Sequence, residues 1–110
     1  MSKYKARKTV VDGITFASQA EARRYGELKL LERAGVISDL TLQPVYQLAP
    51  AVRLGDKQRM KPALRYQADF RYTQDGAFVV EDVKGVITDA FRIKQHLMAT
   101  IYQIQVRLVR

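Results

Sequence analysis

From Ala63 to Tyr72 the chain alternates without a break: Leu64, Tyr66, Ala68, Phe70 and Tyr72 fall on one side, and Arg65, Gln67, Asp69 and Arg71 on the other. A period of two is the mark of a strand with one buried face. Gln74-Asp75-Gly76-Ala77 follows, and Asp-Gly between two such runs is the preference of a two-residue hairpin turn. Phe78 to Lys84 is then the returning strand, ended by Gly85. A two-residue turn sets Asp69 opposite Asp82 and Gln67 opposite Lys84. A three-residue loop with a bulge at Gly76 would set Glu81 opposite Asp69 instead.

The remaining elements are arranged around this hairpin. Asp12-Gly13 separates the short runs Thr9–Val11 and Ile14–Phe16, a second hairpin signal. Ser18-Gln19-Ala20-Glu21 fits a capping box, so a helix is expected over about 19–34, with Tyr25, Leu28 and Leu31 as its apolar stripe and Gly35 as its stop. Leu40 to Leu48 is expected to be a strand, kinked or at an edge where Pro44 interrupts it. Residues 49–62 are a loop or a weak excursion hairpin. Thr88-Asp89 caps a second helix over about 89–101, with Ala90, Ile93, Leu97 and Ile101 on one face, and residues 103–109 form a closing strand. The order is helix, three-strand meander, helix, strand, behind a small hairpin. A mixed α/β sandwich of sheet and helices follows, built as one domain over residues 9–110.

Nineteen Lys and Arg stand against eleven Asp and Glu, a formal charge of +8 that points to a polyanionic partner, nucleic acid first. Half of the surplus is Lys3, Lys5, Arg7 and Lys8, expected to form a flexible basic arm over residues 1–8. With no Cys and one His, any metal must be held by oxygen. No apolar stretch is long enough for a membrane span or a signal peptide, so the expectation is a cytoplasmic protein with no membrane partner.

Two carboxylates opposed across a hairpin repel unless something binds between them, and a divalent cation would do so. Asp82 and Lys84, two apart, point the same way and add an ammonium to the pair, while Glu81 alternates to the other side. Glu21 begins the helix stripe that faces the sheet. It is either a third site acid or simply the capping-box partner of Ser18.

Asp69, Asp82-Val83-Lys84 and a helix bearing Glu21, in this element order, resemble the PD-(D/E)XK nuclease superfamily with its restriction-endonuclease-like αβββαβ core. Ser18 to Tyr25, Leu30 to Ile37, Leu42-Gln43-Pro44 and Val80 to Gly85 further resemble a family of short basic phage and prophage proteins, similar to phage endonuclease I and junction-resolving enzymes. Ala68 stands where the superfamily name has Pro. The resemblance implies a Mg²⁺- or Mn²⁺-dependent DNA endonuclease acting on branched DNA such as Holliday junctions, in a host cell of a phage or prophage. It implies Glu21, Asp69, Asp82 and Lys84 as catalytic residues, with Asp69, Asp82, Glu21 and the Val83 backbone carbonyl around the metal. A homodimer is expected, since a junction needs two cuts. DNA contacts are expected from Lys3, Lys5, Arg7, Lys8, Arg23, Arg24, Gln43, Arg92 and Lys94, positioning a duplex without reading its sequence. Tyr66, Phe70 and Tyr72 are expected in the core and His96 on the surface.

Overall fold

Both Asp-Gly pairs take the left-handed backbone of a tight hairpin turn: φ is 52° at Asp12, 75° at Gly13, 52° at Asp75 and 79° at Gly76. The computed structural model describes residues 7–55 and 59–110. Its first turn closes β1 (Thr9–Val11) on β2 (Ile14–Phe16). Ser18 then caps α1 (Gln19–Arg33), its Oγ accepting from the Glu21 amide at 3.1 Å. Ala22, Tyr25 and Leu28 are the buried face of α1, with Leu31 packed beside them, as the stripe predicts. The Tyr25 hydroxyl donates to Asp12 at 3.0 Å, fastening the small hairpin to the helix. Gly35, at φ 79°, ends α1, and the Val36 amide returns to the Leu31 carbonyl.

Next come β3 (Ser38–Leu42), β4 (Val45–Ala49), β5 (Val52–Arg53), β6 (Met60–Lys61), β7 (Leu64–Gln67), β8 (Phe70–Gln74) and β9 (Ala77–Val83). The central sheet runs β10-β9-β8-β3, where β10 (Arg107–Val109) lies parallel to β9 and the other pairs are antiparallel. The β8–β9 register follows the two-residue turn, with Gln74 against Ala77 through Phe70 against Glu81. Beyond that pair the Asp69 amide still donates to the Glu81 carbonyl at 3.2 Å, one position out of this register. The pairing stops there: Gln67, expected opposite Lys84, pairs with Val45 on β4.

That departure changes the expected meander. The strand predicted over 40–48 divides into β3 and β4, and the one predicted over 63–72 into β7 and β8; both divide at the same level. Gln43 (φ 52°) donates its amide to the Asp69 carbonyl, and the Ala68 amide donates to the Pro44 carbonyl, Pro44 having no donor of its own. Pairing continues through the bend, from Leu42 against Phe70 to Val45 against Gln67. The segment expected to be a loop or weak hairpin carries β5 paired with β6. The result is one long, bent, two-stranded arm leaving the sheet.

The bend also splits the alternating run between two cores. Phe70 and Tyr72 pack with Phe16, Tyr25 and Leu28 under α1. Tyr66 and Ala68 pack with Val80, Phe91, Met98 and Val106 under α2 (Asp89–Tyr102). Thr88 caps α2, its Oγ1 accepting from the Phe91 amide at 3.1 Å. The expected face of α2 is corrected in part: Phe91 and Met98, seven apart, face the sheet with Leu97 packed beside them, while Ala90 is exposed, Ile93 is 61% exposed and Ile101 43%. Two apolar stripes lie side by side on this helix, and the one with the larger aromatic fills the space above Val80. Gln103 (φ 56°) ends α2 in the left-handed region, so the closing strand is only Arg107–Val109.

Candidate active site

Asp69 sits at the bend, one residue before β8, and Asp82 near the end of β9. Asp69 half-emerges, and its Oδ2 accepts the Val83 amide at 2.7 Å. Asp82 is buried and accepts a short hydrogen bond from the Tyr66 hydroxyl. The two carboxyl groups are close enough for the Asp82 charge to act on Asp69. Lys84 points the same way, with Nζ 3.7 Å from Asp82 Oδ2 and 4.7 Å from the centre of the Phe91 ring. The ammonium is thus held between a carboxylate and an aromatic face.

Burial and like charge dominate the electrostatics. Burial pushes the Asp69 carboxyl up to about 7, against the opposing pull of the Val83 amide, and the Asp82 and Glu21 charges push the same way. Burial also raises Glu21; the Ala17 amide and the Lys84 charge pull it down, whereas Asp82 pushes it up. The Tyr66 hydroxyl is held well above its ordinary range by burial and then by Asp82, so it donates to that carboxylate. Glu21 therefore belongs to the same field as Asp69, Asp82 and Lys84. It lines one cleft with Gln43 and Asp69, walled by Ile14, Phe16 and Leu42.

Glu81 answers the open question of register. It is fully buried on the opposite face of the sheet, gripped by Arg24 through Nε at 2.9 Å and Nη2 at 2.6 Å, and by the Tyr72 hydroxyl. Arg107 completes the set by donating to the Tyr72 oxygen at 3.1 Å. Arg24, expected to contact DNA, instead turns inward; Glu81 above all holds its guanidinium in the charged form. Its stem lies three residues after Glu21 and four before Leu28, a spacing that already puts it on the sheet-facing side.

Among the described residues, Arg7, Lys8, Arg23, Gln43 and Arg92 are exposed and Lys94 is half-buried. Lys3 and Lys5 lie outside the described residues. His96 is exposed, and Tyr66, Phe70 and Tyr72 are buried, as expected. Tyr66 is more than core packing, because its hydroxyl fixes a site carboxylate. Its alternation with Phe70 gives no hint of that, since the two rings serve different cores.

The description "Protein of unknown function (DUF1064)" matches residues 1–109. The chain belongs to this family. Comparison with curated proteins and with solved structures returned no match. In this DUF1064 protein, no three acidic, His or Cys side chains among the described residues are gathered as a ready cage for a metal ion. The donor set is a pair, Asp69 and Asp82, with Glu21 across the cleft. Mg²⁺ suits such a pair, because it commonly takes one or two carboxylates and completes its shell with water and substrate phosphate. No helix among the described residues is long and apolar enough to cross a membrane.

Proposed function

We propose that this chain is a metal-dependent DNA endonuclease that hydrolyses phosphodiester bonds in branched DNA, with two copies acting on one junction. The observation that carries this reading is the gathering of Asp69, Asp82 and Lys84 at one end of the hairpin, where Asp69 accepts the Val83 amide and Lys84 lies 3.7 Å from Asp82. Two adjacent carboxylates in a largely buried setting, one holding its proton up to about 7, form a place whose charge a hard cation would relieve.

Asp69 and Asp82, with Glu21 beside them, would hold Mg²⁺ or Mn²⁺. Such a cation, when bound, polarises a phosphoryl oxygen and acidifies its water. The chain's own groups do the rest. The Val83 amide occupies one Asp69 oxygen and leaves the other for binding, and the Tyr66 hydroxyl fixes Asp82. Lys84 would present its ammonium to the negative charge on the phosphoryl oxygens as water adds to phosphorus and the bond to the 3′ oxygen breaks. The products are a 5′-phosphate and a 3′-hydroxyl, the latter taking up, through solvent, the proton that the attacking water gives up. The surplus of basic residues suits a DNA substrate, and the branched substrate and paired action follow the resemblance to junction-resolving nucleases.

The test incubates the protein and its Asp82→Ala variant with a labelled four-way junction and a matched duplex, in Mg²⁺, Mn²⁺ or chelator. Metal-dependent cutting of the junction, lost in the variant, is expected. Equal cutting of both substrates would discard the junction preference, and tight binding without cutting in any metal would replace the enzyme with a noncatalytic DNA-binding protein.

A further inference from the structure

The charge surplus is confined to two segments. Residues 1–8 hold Lys3, Lys5, Arg7 and Lys8 and no acid; residues 45–68 hold Arg53, Lys57, Arg59, Lys61 and Arg65 against Asp56 alone. Everything else, including both helices and the central sheet, carries ten basic and ten acidic side chains. The folded body is electroneutral, and the second positive segment is the bent arm.

The inner part of the arm, β4 and β7, packs under α2 through Leu48 and Tyr66, whereas no residue of its outer part, β5 and β6, belongs to either core. The radius of gyration is 16.2 Å, against about 13 Å for a compact chain of this size, and the longest extent is 55 Å. The strands β5 and β6 pair only with each other. Arg59, Lys61 and Arg65 are exposed, and among the described residues no ion pair or hydrogen bond engages them. Cations left in water without partners, on a ribbon with no described acid, cost affinity for nothing within the fold and attract a polyanion from outside it.

We infer that the arm, through Lys61 and Arg65 and with Arg59 beyond them, lies along the phosphate backbone of a DNA duplex leading into the cleft lined by Glu21, Gln43 and Asp69. This rests on the DNA reading above and deepens it by locating the duplex. The geometry supplies the direction: the arm joins the body at Gln43 and Asp69, so its root is the rim of the cleft. At roughly 3.3 Å per residue, the strand from Asp69 to Lys61 spans on the order of 25 Å, most of one turn of B-DNA. Contacts of this kind hold and orient a duplex irrespective of its sequence.

The experiment measures duplex binding in chelator across a range of salt, so that no cleavage is needed. Removal of two phosphate contacts in Lys61→Ala/Arg65→Ala is expected to lower the slope of log K against log salt by about 1.8. Arg33→Ala/Arg110→Ala, which removes the same charge from exposed sites off the arm, is expected to leave the slope in place. Equal slopes for the wild type and the arm variant, or no duplex binding by the wild type, would overturn the inference. So would an unchanged slope accompanied by a fall from dimer to monomer in Leu54→Asp/Leu64→Asp, which would assign the arm to a second copy. Cleavage by the wild type with an unchanged slope sinks the arm alone, whereas a changed slope without cleavage under any metal sinks the nuclease alone.

Discussion

Glu81 and Asp82 are consecutive on β9 and face opposite sides of the sheet, each buried, each held by a tyrosine hydroxyl. Glu81 has a bidentate arginine and no access to the cleft; Asp82 has a lysine at 3.7 Å and a second carboxylate beside it. One is spent on structure and the other is available for chemistry. The two therefore separate by mutation. Asp82→Ala is expected to abolish metal-dependent cleavage while the protein stays folded. Arg24→Ala leaves the Glu81 charge buried and unpaired, and is expected to cost about 3 kcal/mol in urea unfolding, the lower end for a broken buried pair because Arg24 keeps 20% of its side chain in water. A cost within error of zero would show that the pair carries no such load.

Asp69 links stability to pH with the opposite sign from a salt-bridged acid. Its folded pKa of about 7 lies above the ordinary 3.8, so the folded protein binds the proton more tightly than the unfolded chain. That contribution is complete below about pH 4 and is lost as pH rises through about 7, at up to about 1.4 kcal/mol per pH unit. Asp69→Asn keeps an acceptor for the Val83 amide and removes the charge. It is expected to melt higher than the wild type at pH 8 and to lose that advantage at pH 4. An advantage that does not change with pH would refute the assignment.

A cation bound between Asp69 and Asp82 stabilises the native state by mass action. Addition of Mg²⁺ or Mn²⁺ at pH 8 is expected to raise the melting temperature of the wild type and to leave that of Asp69→Asn or Asp82→Asn unmoved. Chelator should reverse the rise. Equal rises in all three proteins would place the ion elsewhere.

Tyr66 is buried and donates its hydroxyl to Asp82, so on the nuclease reading its effect runs through that carboxylate. Tyr66→Phe keeps the ring against Phe91, 6.2 Å between centroids, and deletes only the hydroxyl. The expected result is a lower kcat with little change in the KM for DNA, and retained folding by circular dichroism. A change in KM alone would make the tyrosine a substrate contact.

The hairpin that carries Asp69, Asp82 and Lys84 is legible because a turn length and a period of two suffice to place side chains on a face. Glu21 and the α1 stripe are legible for the same kind of reason, a cap followed by helical spacing. The run from Tyr66 to Tyr72 is not, because alternation within a strand says nothing about a strand that changes partners: at Ala68 and Asp69 the chain leaves one pairing for another, and residues that read as one face enter two cores. The face of α2 is ambiguous in sequence because Phe91 and Met98 compete with an equally apolar neighbouring stripe. Arg24 reads as one more surface cation, since its partner is fifty-seven residues away.

The turn at Asp75 and Gly76 touches nothing in the cleft, yet it decides which acid shares a face with Lys84 and acts on Asp69. Lengthening it by a single residue would slip β9 past β8 by one position and exchange the two faces of the strand. Glu81 would then meet Asp69, Asp82 would meet Arg24, and Lys84 would leave with its neighbour. The chemical identity of the cleft is in this sense written as a length, stored in two positive backbone angles at the far end of the hairpin.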